Sequence, residues 1–586
     1  MPFRRTSRGS EAATSVHDEV ASGTTTPPKK DLEKEAGMQL IDGPLHYYNF
    51  RVISMGIIVS LGGLIFGYDT GQISGFLEMQ DFLQRFGDED QNGTPAFSDT
   101  RSGTIVALLS IGTFIGVLVA GPIADWIGRR YSIVFWDIIF CVGVIVQITT
   151  TTEWYQVAIG RLVAGFGVGA LSVLTPMYQS ETAPKQVRGS LVSCYQLFIT
   201  LGIFVAYCIN FGTEKDDSMR SWKLPMGIGF IWPALMAVGI MFLPESPRWE
   251  YRHGKIESAR QTVARAYGVP ENHKVVALEL REIREKLEIE NQGSPDGKHK
   301  FWEVLTGPRM LYRVLLGMGL QSLQQLTGAN FFFYYGTSIF QATGVENSYV
   351  TSMILGGVNF GMTFFGLYVV EHFGRRKSLI VGALWMFVCF MIFASVGHFA
   401  LDQQTPTNTP HAGVAMIVFA CLFIAAFAMT WGPIIWATIG ELYPTRYRAV
   451  AMGLATSANW IWNFLISFFT PFITSSIDFR YGYVFASCCF LGAVVVYFFL
   501  CESSGRTLEE IDTMYLLRIK PWESSKWVPE DVGDLVETDR LALTPGARDI
   551  RKENTANLPA GGLKAEHSEG MSNNGQAPDA DMTSRI

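Results

Sequence analysis

The chain has 586 residues, enough for about four soluble domains, but its composition is not that of a soluble protein. Apolar residues make up 48% and charged residues 17%, against about 25% charged in soluble proteins, and mean hydropathy is +0.20 although both ends are polar. The bulk of the chain is therefore neither disordered nor a disulfide scaffold, and a net charge of −7 gives no reason to expect nucleic-acid binding.

Residues 1–48 mix Ser, Thr, Gly, Lys and Glu and read as a disordered N-terminal tail, without the apolar core of a secretory signal. Apolar stretches long enough to span a bilayer follow near 52–72, 103–124, 131–150, 155–176, 191–211 and 226–243. A charged stretch at 248–312 has the acid/base spacing of short solvated helices. Six more apolar stretches lie near 313–335, 349–370, 378–399, 412–439, 449–472 and 481–501. The expected organisation is an all-α membrane protein of twelve transmembrane helices in two halves, 49–247 and 313–504. A helical linker at 248–312 joins them, and a mostly disordered tail covers 505–586.

Lys and Arg concentrate in alternate loops, at Arg129-Arg130, Lys185 and Arg188, the linker, Arg375-Arg376-Lys377, and Arg446 and Arg448. The bias of basic residues toward the cytosol then places both termini and the linker inside the cell. It leaves Asn92-Gly93-Thr94 outside as a glycan acceptor. The eight cysteines sit in or beside apolar runs without metal-ligand spacing, so no metal site or cofactor is expected. Gly165-Phe166-Gly167-Val168-Gly169 lies inside a span and reads as close helix packing rather than a phosphate loop.

The chain repeats itself. Asp125-Trp126-Ile127-Gly128-Arg129-Arg130 returns as Glu371-His372-Phe373-Gly374-Arg375-Arg376. Glu181 with Arg188 returns as Glu441 with Arg448, and Pro244-Glu245-Ser246 as Cys501-Glu502-Ser503. Three pairs at nearly one offset indicate two homologous halves, the architecture of a transporter around a central site.

At these residues the chain resembles the sugar porter family of the major facilitator superfamily, and within it fungal hexose transporters. Gly121-Pro122-Ile123-Ala124-Asp125-Trp126-Ile127-Gly128-Arg129-Arg130 looks like the superfamily's loop 2–3 signature, and Pro244-Glu245-Ser246-Pro247-Arg248-Trp249 like the sugar porter signature. Gln321-Ser322-Leu323-Gln324-Gln325-Leu326-Thr327-Gly328-Ala329-Asn330 is similar to the family's sugar-contact helix. Cys501-Glu502-Ser503-Ser504-Gly505-Arg506 departs from the family's usual Pro-Glu-Thr start, while keeping the glutamate and the arginine.

A hexose is a ring of hydroxyls that both donate and accept, and an amide side chain does both without a charge. Gln321, Gln324 and Gln325 share one helical face, and the resemblance adds Asn330, Gln196, Asn359 and Asn459 as sugar contacts. The alternative is that such amides hold neighbouring helices together. Trp436 matches the family's aromatic platform, and Phe66 is a further candidate for the cavity wall. Trp431-Gly432-Pro433 predicts a bend in span 10. The resemblance makes Tyr334 and Tyr335 an outer gate.

Asp69 lies in an apolar stretch, where an unpaired carboxylate costs about 2.5–3.5 kcal/mol. The family partner is Arg161, and the pair could act as a proton switch. Asp125, Arg129, Glu181, Arg188, Glu245, Arg248, Glu371, Arg375, Glu441, Arg448 and Glu502 are expected to form a cytosolic charged latch between the halves. The implied function is that of a monomeric plasma-membrane transporter for glucose-type monosaccharides, working by alternating access and with or without proton coupling. It is not an enzyme. The alternatives are a sugar sensor and a porter for another neutral sugar or polyol.

Overall fold

The computed structural model describes residues 39–45, 49–89, 95–292, 303–402, 405–444, 447–506 and 508–527. Asn92 and the side chain of Glu371 lie outside the described residues.

Apolar runs fold into helices here because a helix satisfies its own backbone hydrogen bonds. The first six spans are Phe50–Phe76, Asp99–Ile127, Arg129–Ile148, Trp154–Thr182, Lys185–Thr213 and a sixth made of Arg220–Ile228 and Ile231–Met241. The second six are Met310–Leu326 with Ala329–Gln341, Ser348–His372, Arg375–Ser395, Pro410–Met429 with Trp431–Leu442, Arg448–Ile477 and Tyr481–Phe499. Ten stretches are long and apolar enough to cross a membrane, the last of which, Val450–Phe499, holds spans 11 and 12. Span 7 is not among them because it is broken into two shorter helices. With it the described residues carry twelve spans.

The breaks have local causes. Gly328, between the two helices of span 7, has φ +89°, a left-handed conformation that favours glycine. Span 10 breaks at Thr430, with φ −127° and ψ −81°, just before the expected Trp431-Gly432-Pro433 bend. Asn49 caps span 1 by accepting from Val52 N at 2.9 Å.

In the first half span 2 packs on span 4, span 1 on span 5 and span 3 on span 4; in the second, span 8 packs on span 10, span 7 on span 11 and span 9 on span 12. The halves meet along span 2 with span 11 and span 5 with span 8. The glycine run of span 4 serves this packing: a Cβ on Gly165 would run into the Leu109 carbonyl oxygen of span 2, and one on Gly169 into that of Thr113.

The odd-numbered spans start at the end of the bundle that carries the linker. Helices Ile256–Tyr267 and Lys274–Gln292 form a small core of their own there, from Ala259, Val263, Ala264, Tyr267, Val276 and Leu280. Against the expectation of a free tail to residue 48, the segment 39–45 docks on this core. Ile41 N donates to Asn272 O and Lys274 N to Ile41 O, each at 2.9 Å, and Leu40 is buried.

Within the segment from 505, expected to be mostly disordered, helix Leu508–Leu516 packs under the second half with Ile511, Met514 and Tyr515 buried. Arg313 at the start of span 7 is fully buried and meets Asp512 at 2.7 Å. Arg506 Nη2 donates to Ser524 O and Trp527 O, both at 2.7 Å, which folds the following turn back on the bundle.

Candidate functional site

Spans 7 and 11 bring their amides together at mid-depth. Asn459 Nδ2 donates to Gln321 Oε1 at 2.6 Å and to Gln324 Oε1 at 2.8 Å, while Asn459 Oδ1 accepts from Gln325 Nε2 at 2.9 Å. Asn330 Nδ2 donates to Gln325 Oε1. Asn463, one turn after Asn459, joins them: its Nδ2 donates to Gln325 Oε1 at 3.3 Å, and its Oδ1 accepts from Ser110 Oγ of span 2 at 2.6 Å and from the Tyr334 hydroxyl at 3.2 Å. The cluster therefore reaches from one half into the other.

The three glutamines of span 7 are not equivalent. Gln321 and Gln324 are buried, whereas Gln325 and Asn330 are half-buried. Gln324 Nε2 donates to the carbonyls of Trp431 and Gly432 at 2.9 and 3.1 Å, which ties span 7 to the break in span 10. Gln324 thus joins helices, and Gln325 and Asn330, though bonded within the cluster, keep a partly open side.

Of the remaining sugar-contact candidates, Gln196 is half-buried and Asn359 buried, each from a span that lines the seam between halves. Trp436 is 38% exposed on the second helix of span 10. Phe66 of span 1 meets Trp460 of span 11 with ring centroids 5.7 Å apart, a contact between the halves.

Asp69 and Arg161 are both buried. Arg161 Nη1 stands 3.7 Å from Asp69 Oδ2, and Gln72 Nε2 donates to Asp69 Oδ1 at 2.9 Å. None of the three guanidinium nitrogens of Arg161 makes a hydrogen bond among the described residues. Tyr334 and Tyr335 lie on the outer helix of span 7, Tyr335 donating to Ser467 O at 2.6 Å.

The charged motifs at the linker end form two copies of one arrangement. In the first half Arg129 N donates to Glu245 Oε1 at 2.8 Å, Arg130 N to Glu245 Oε2 at 3.1 Å, and Arg129 Nε to Glu181 Oε2 at 3.0 Å. In the second Arg375 N donates to Glu502 Oε1 at 2.8 Å, Arg376 N to Glu502 Oε2 at 3.2 Å, and Arg375 Nη2 to Glu441 Oε1 at 2.9 Å. Each glutamate caps the N-terminus of a span where free N–H groups and the helix dipole favour an anion. Burial pushes the Glu245 carboxyl up, against the backbone N–H groups and Arg129 that pull it down. Gly128 and Gly374 have φ +97° and +82°, and a Cβ on either would crowd the carboxylate at 2.5 and 2.9 Å. The departure at Cys501-Glu502-Ser503 leaves this geometry intact.

Of the expected latch, Arg129 with Glu181 and Arg375 with Glu441 close within their own halves in this structure. Asp125 pairs with Arg129 at 2.8 Å, and Arg188 reaches Glu279 of the linker at 3.5 Å. Arg448 donates to Tyr443 O at 3.4 Å. Arg248 is half-buried in the short helix Pro247–Arg252.

Residues 55–515 match the family described as sugar (and other) transporters. The chain belongs to the sugar transporter family. This transporter is 47% identical over 504 residues to a low-affinity glucose transporter of Kluyveromyces lactis, covering 85% of this chain and 88% of that one. It is 44% identical to a high-affinity glucose transporter of Schizosaccharomyces pombe, over 86% and 92% of the two chains, and 44% identical to a high-affinity fructose transporter of that organism, over 83% and 91%. Among solved structures it is similar to the proton:xylose symporter XylE bound to 6-bromo-6-deoxy-D-glucose, with TM-score 0.65, 26% identity, and 79% and 99% of the chains covered. It is equally similar, at 25% identity and 78% and 100% coverage, to a partially occluded inward open conformation of XylE from E. coli. The twelve-helix fold is that of the major facilitator superfamily.

Sequence reasoning missed Asn463 and Ser110. The signal for Asn463 was present: Asn459, Asn463, Ser467 and Thr470 recur at helical spacing on one face of span 11, and all are buried.

Proposed function

We propose that this transporter carries a hexose of the glucose type across the plasma membrane by alternating access, with the linker and both chain ends in the cytosol. The observation that carries this reading is the uncharged amide cluster of spans 7 and 11, which reaches Ser110 of the opposite half at mid-depth. Amides exchange partners with sugar hydroxyls without moving charge through a low-dielectric interior. Gln325 and Asn330 supply the contacts, Gln196 and Asn359 approach from the seam, and Trp436 offers its indole face to the apolar side of the ring. Relatives named for glucose and fructose, and a neighbouring structure holding a glucose derivative, support a monosaccharide substrate.

The conformation is taken to be the one open toward the cytosol. Hydrogen bonds between the halves run from mid-depth to the far side, as at Ser74–Thr337 (3.0 Å), Tyr207–Phe333 O (3.1 Å) and Ser475–Asp99 (2.7 Å). In the alternate state the linker-end clusters would come together and latch that side. Asp69 beside Arg161 is assigned to proton coupling: protonation removes the charge that Arg161 faces and loosens span 1 from span 4. The protein acts as a monomer in the bilayer.

Labelled glucose uptake in yeast lacking its own hexose carriers tests the sugar reading. Wild-type protein at the cell surface should restore uptake, and Gln325→Ala should raise the half-saturating concentration. Surface protein without uptake would reject the reading and favour a sensor.

A further inference from the structure

Two carboxylates that the transport cycle above does not use stand at the far side, both on the first half and both held by the second. Glu78 lies two residues beyond span 1, and its Oε1 accepts from Ser338 Oγ of span 7. Glu214 follows span 5, and its Oε1 accepts from Asn347 Nδ2 at 2.7 Å. Asn347 is fixed for this task because its Oδ1 already caps span 8, accepting from Tyr349 N at 2.9 Å and Val350 N at 3.1 Å. Tyr349 stands within electrostatic reach of both carboxylates and donates to Gly75 O at 2.9 Å. The far-side seam thus closes over two acids, each met by a neutral donor.

We propose that Glu78 is a proton-sensing residue of the far-side gate, so that its protonation from the far side favours the closed gate and its ionisation favours opening. This rests on the alternating-access reading. When the gate opens, Ser338 leaves and Glu78 meets water, which solvates the carboxylate. When the gate closes, Glu78 is half-buried, loses part of its hydration and takes one hydroxyl donor from the opposite half. No cation compensates it among the described residues. The charged and titratable groups on neighbouring elements include Glu214, Tyr349 and Asp81, with Arg85 engaged by Asp81 at 2.7 Å, and the exposed Lys215, Asp216, Asp217 and Glu346 lie in the flanking loops.

The sign follows from these two environments. Burial pushes the Glu78 carboxyl up in the closed gate, and the Ser338 hydrogen bond only partly offsets this, while in the open gate water returns it toward the ordinary carboxyl range. Below the open-state value both states are protonated and closing costs nothing extra. Between the two values the closed gate loses ground as pH rises, and above the closed-state value the penalty is constant. The proton enters from and returns to the far side, so the effect is regulation by outside pH and adds no proton to the transported stoichiometry.

Spin labels on cysteines placed at Asp217 and Glu346, exposed positions in the two loops that flank this seam, would report gate width in the full chain in nanodiscs. Lowering pH from about 7.5 to 5 should enrich the short distance, by at most about tenfold in the closed-to-open ratio per pH unit. In an Asp69→Asn, Glu214→Gln background, which removes the other two acids of the argument, Glu78→Gln should hold the short distance at all pH values and Glu78→Asp should keep the response. A wild-type distance indifferent to pH, or a Glu78→Gln protein in that background that still follows pH, would overturn the proposal. Glucose uptake by the same labelled protein in liposomes, and a glucose-driven distance change at fixed pH, test the transport reading separately.

Discussion

Asp69 of span 1 and Arg161 of span 4 face each other at 3.7 Å, both buried, with Gln72 on the other carboxylate oxygen. The guanidinium spends none of its N–H groups on hydrogen bonds among the described residues. The pair is thus held by charge and proximity rather than by a hydrogen-bonded fork, which suits a contact that is made and released in each cycle. Removing one buried partner strands the other at a cost of about 3–5 kcal/mol. Arg161→Leu should therefore yield little surface protein, and Arg161→Leu with Asp69→Asn should restore it. Surface expression by flow cytometry reads both, and equal expression of the single and double variants would contradict the pairing.

Asn459 is the junction of the amide cluster, and Asn459→Ala leaves buried partners on Gln321, Gln324 and Gln325 without it. An unsatisfied buried group costs about 1–3 kcal/mol, so apparent sugar affinity should fall about 5- to 150-fold. Gln324→Leu should act differently. It frees the carbonyls of Trp431 and Gly432, so the maximal rate should drop more than the affinity. Initial-rate uptake at matched surface expression separates the two.

The glycines ahead of spans 3 and 9 are needed twice over, for their positive φ and for the space the capping carboxylates occupy. Gly128→Ala and Gly374→Ala should each destabilise the protein by about 1–3 kcal/mol through strain and displaced capping, read as a lower melting temperature of purified protein. An alanine at either position that leaves thermal stability unchanged would mean the cap does not hold the turn.

Arg313 is fully buried with Asp512 as its counterion. Ending the chain after Trp527 should leave uptake intact, whereas ending it after Arg506 strands Arg313 and should cost about 3–5 kcal/mol of stability. Detergent-solubilised melting curves of the two truncations check this.

How far the sequence spoke for itself depended on the range of the interaction. The spans, their number and the two-fold repeat follow from local hydropathy and from motifs, and the paired Glu245 and Glu502 caps lie where the repeats place them. Gln325 was visible because a one-faced set of amides stands out in an apolar helix, and Asn459 through the family resemblance. The division of labour between Gln324 and Gln325 was not, since it depends on where span 10 breaks. Glu78 and Glu214 read as ordinary loop acids until the opposing Ser338 and Asn347 are seen. The docking of 508–527 was hidden for the same reason: the residue that anchors it, Arg313, lies far away in sequence, in the first turn of span 7.

The central claim, a hexose carrier driven through Asp69, is tested most directly by the steady-state accumulation of labelled glucose in carrier-deficient yeast, with and without a protonophore, for wild type and Asp69→Asn. The account predicts accumulation above the outside concentration that is abolished by the protonophore and absent in Asp69→Asn, with equilibrating uptake remaining in both cases. Wild-type uptake that stops at the outside concentration and ignores the protonophore would contradict it, leaving a facilitator in which Asp69 only holds Arg161.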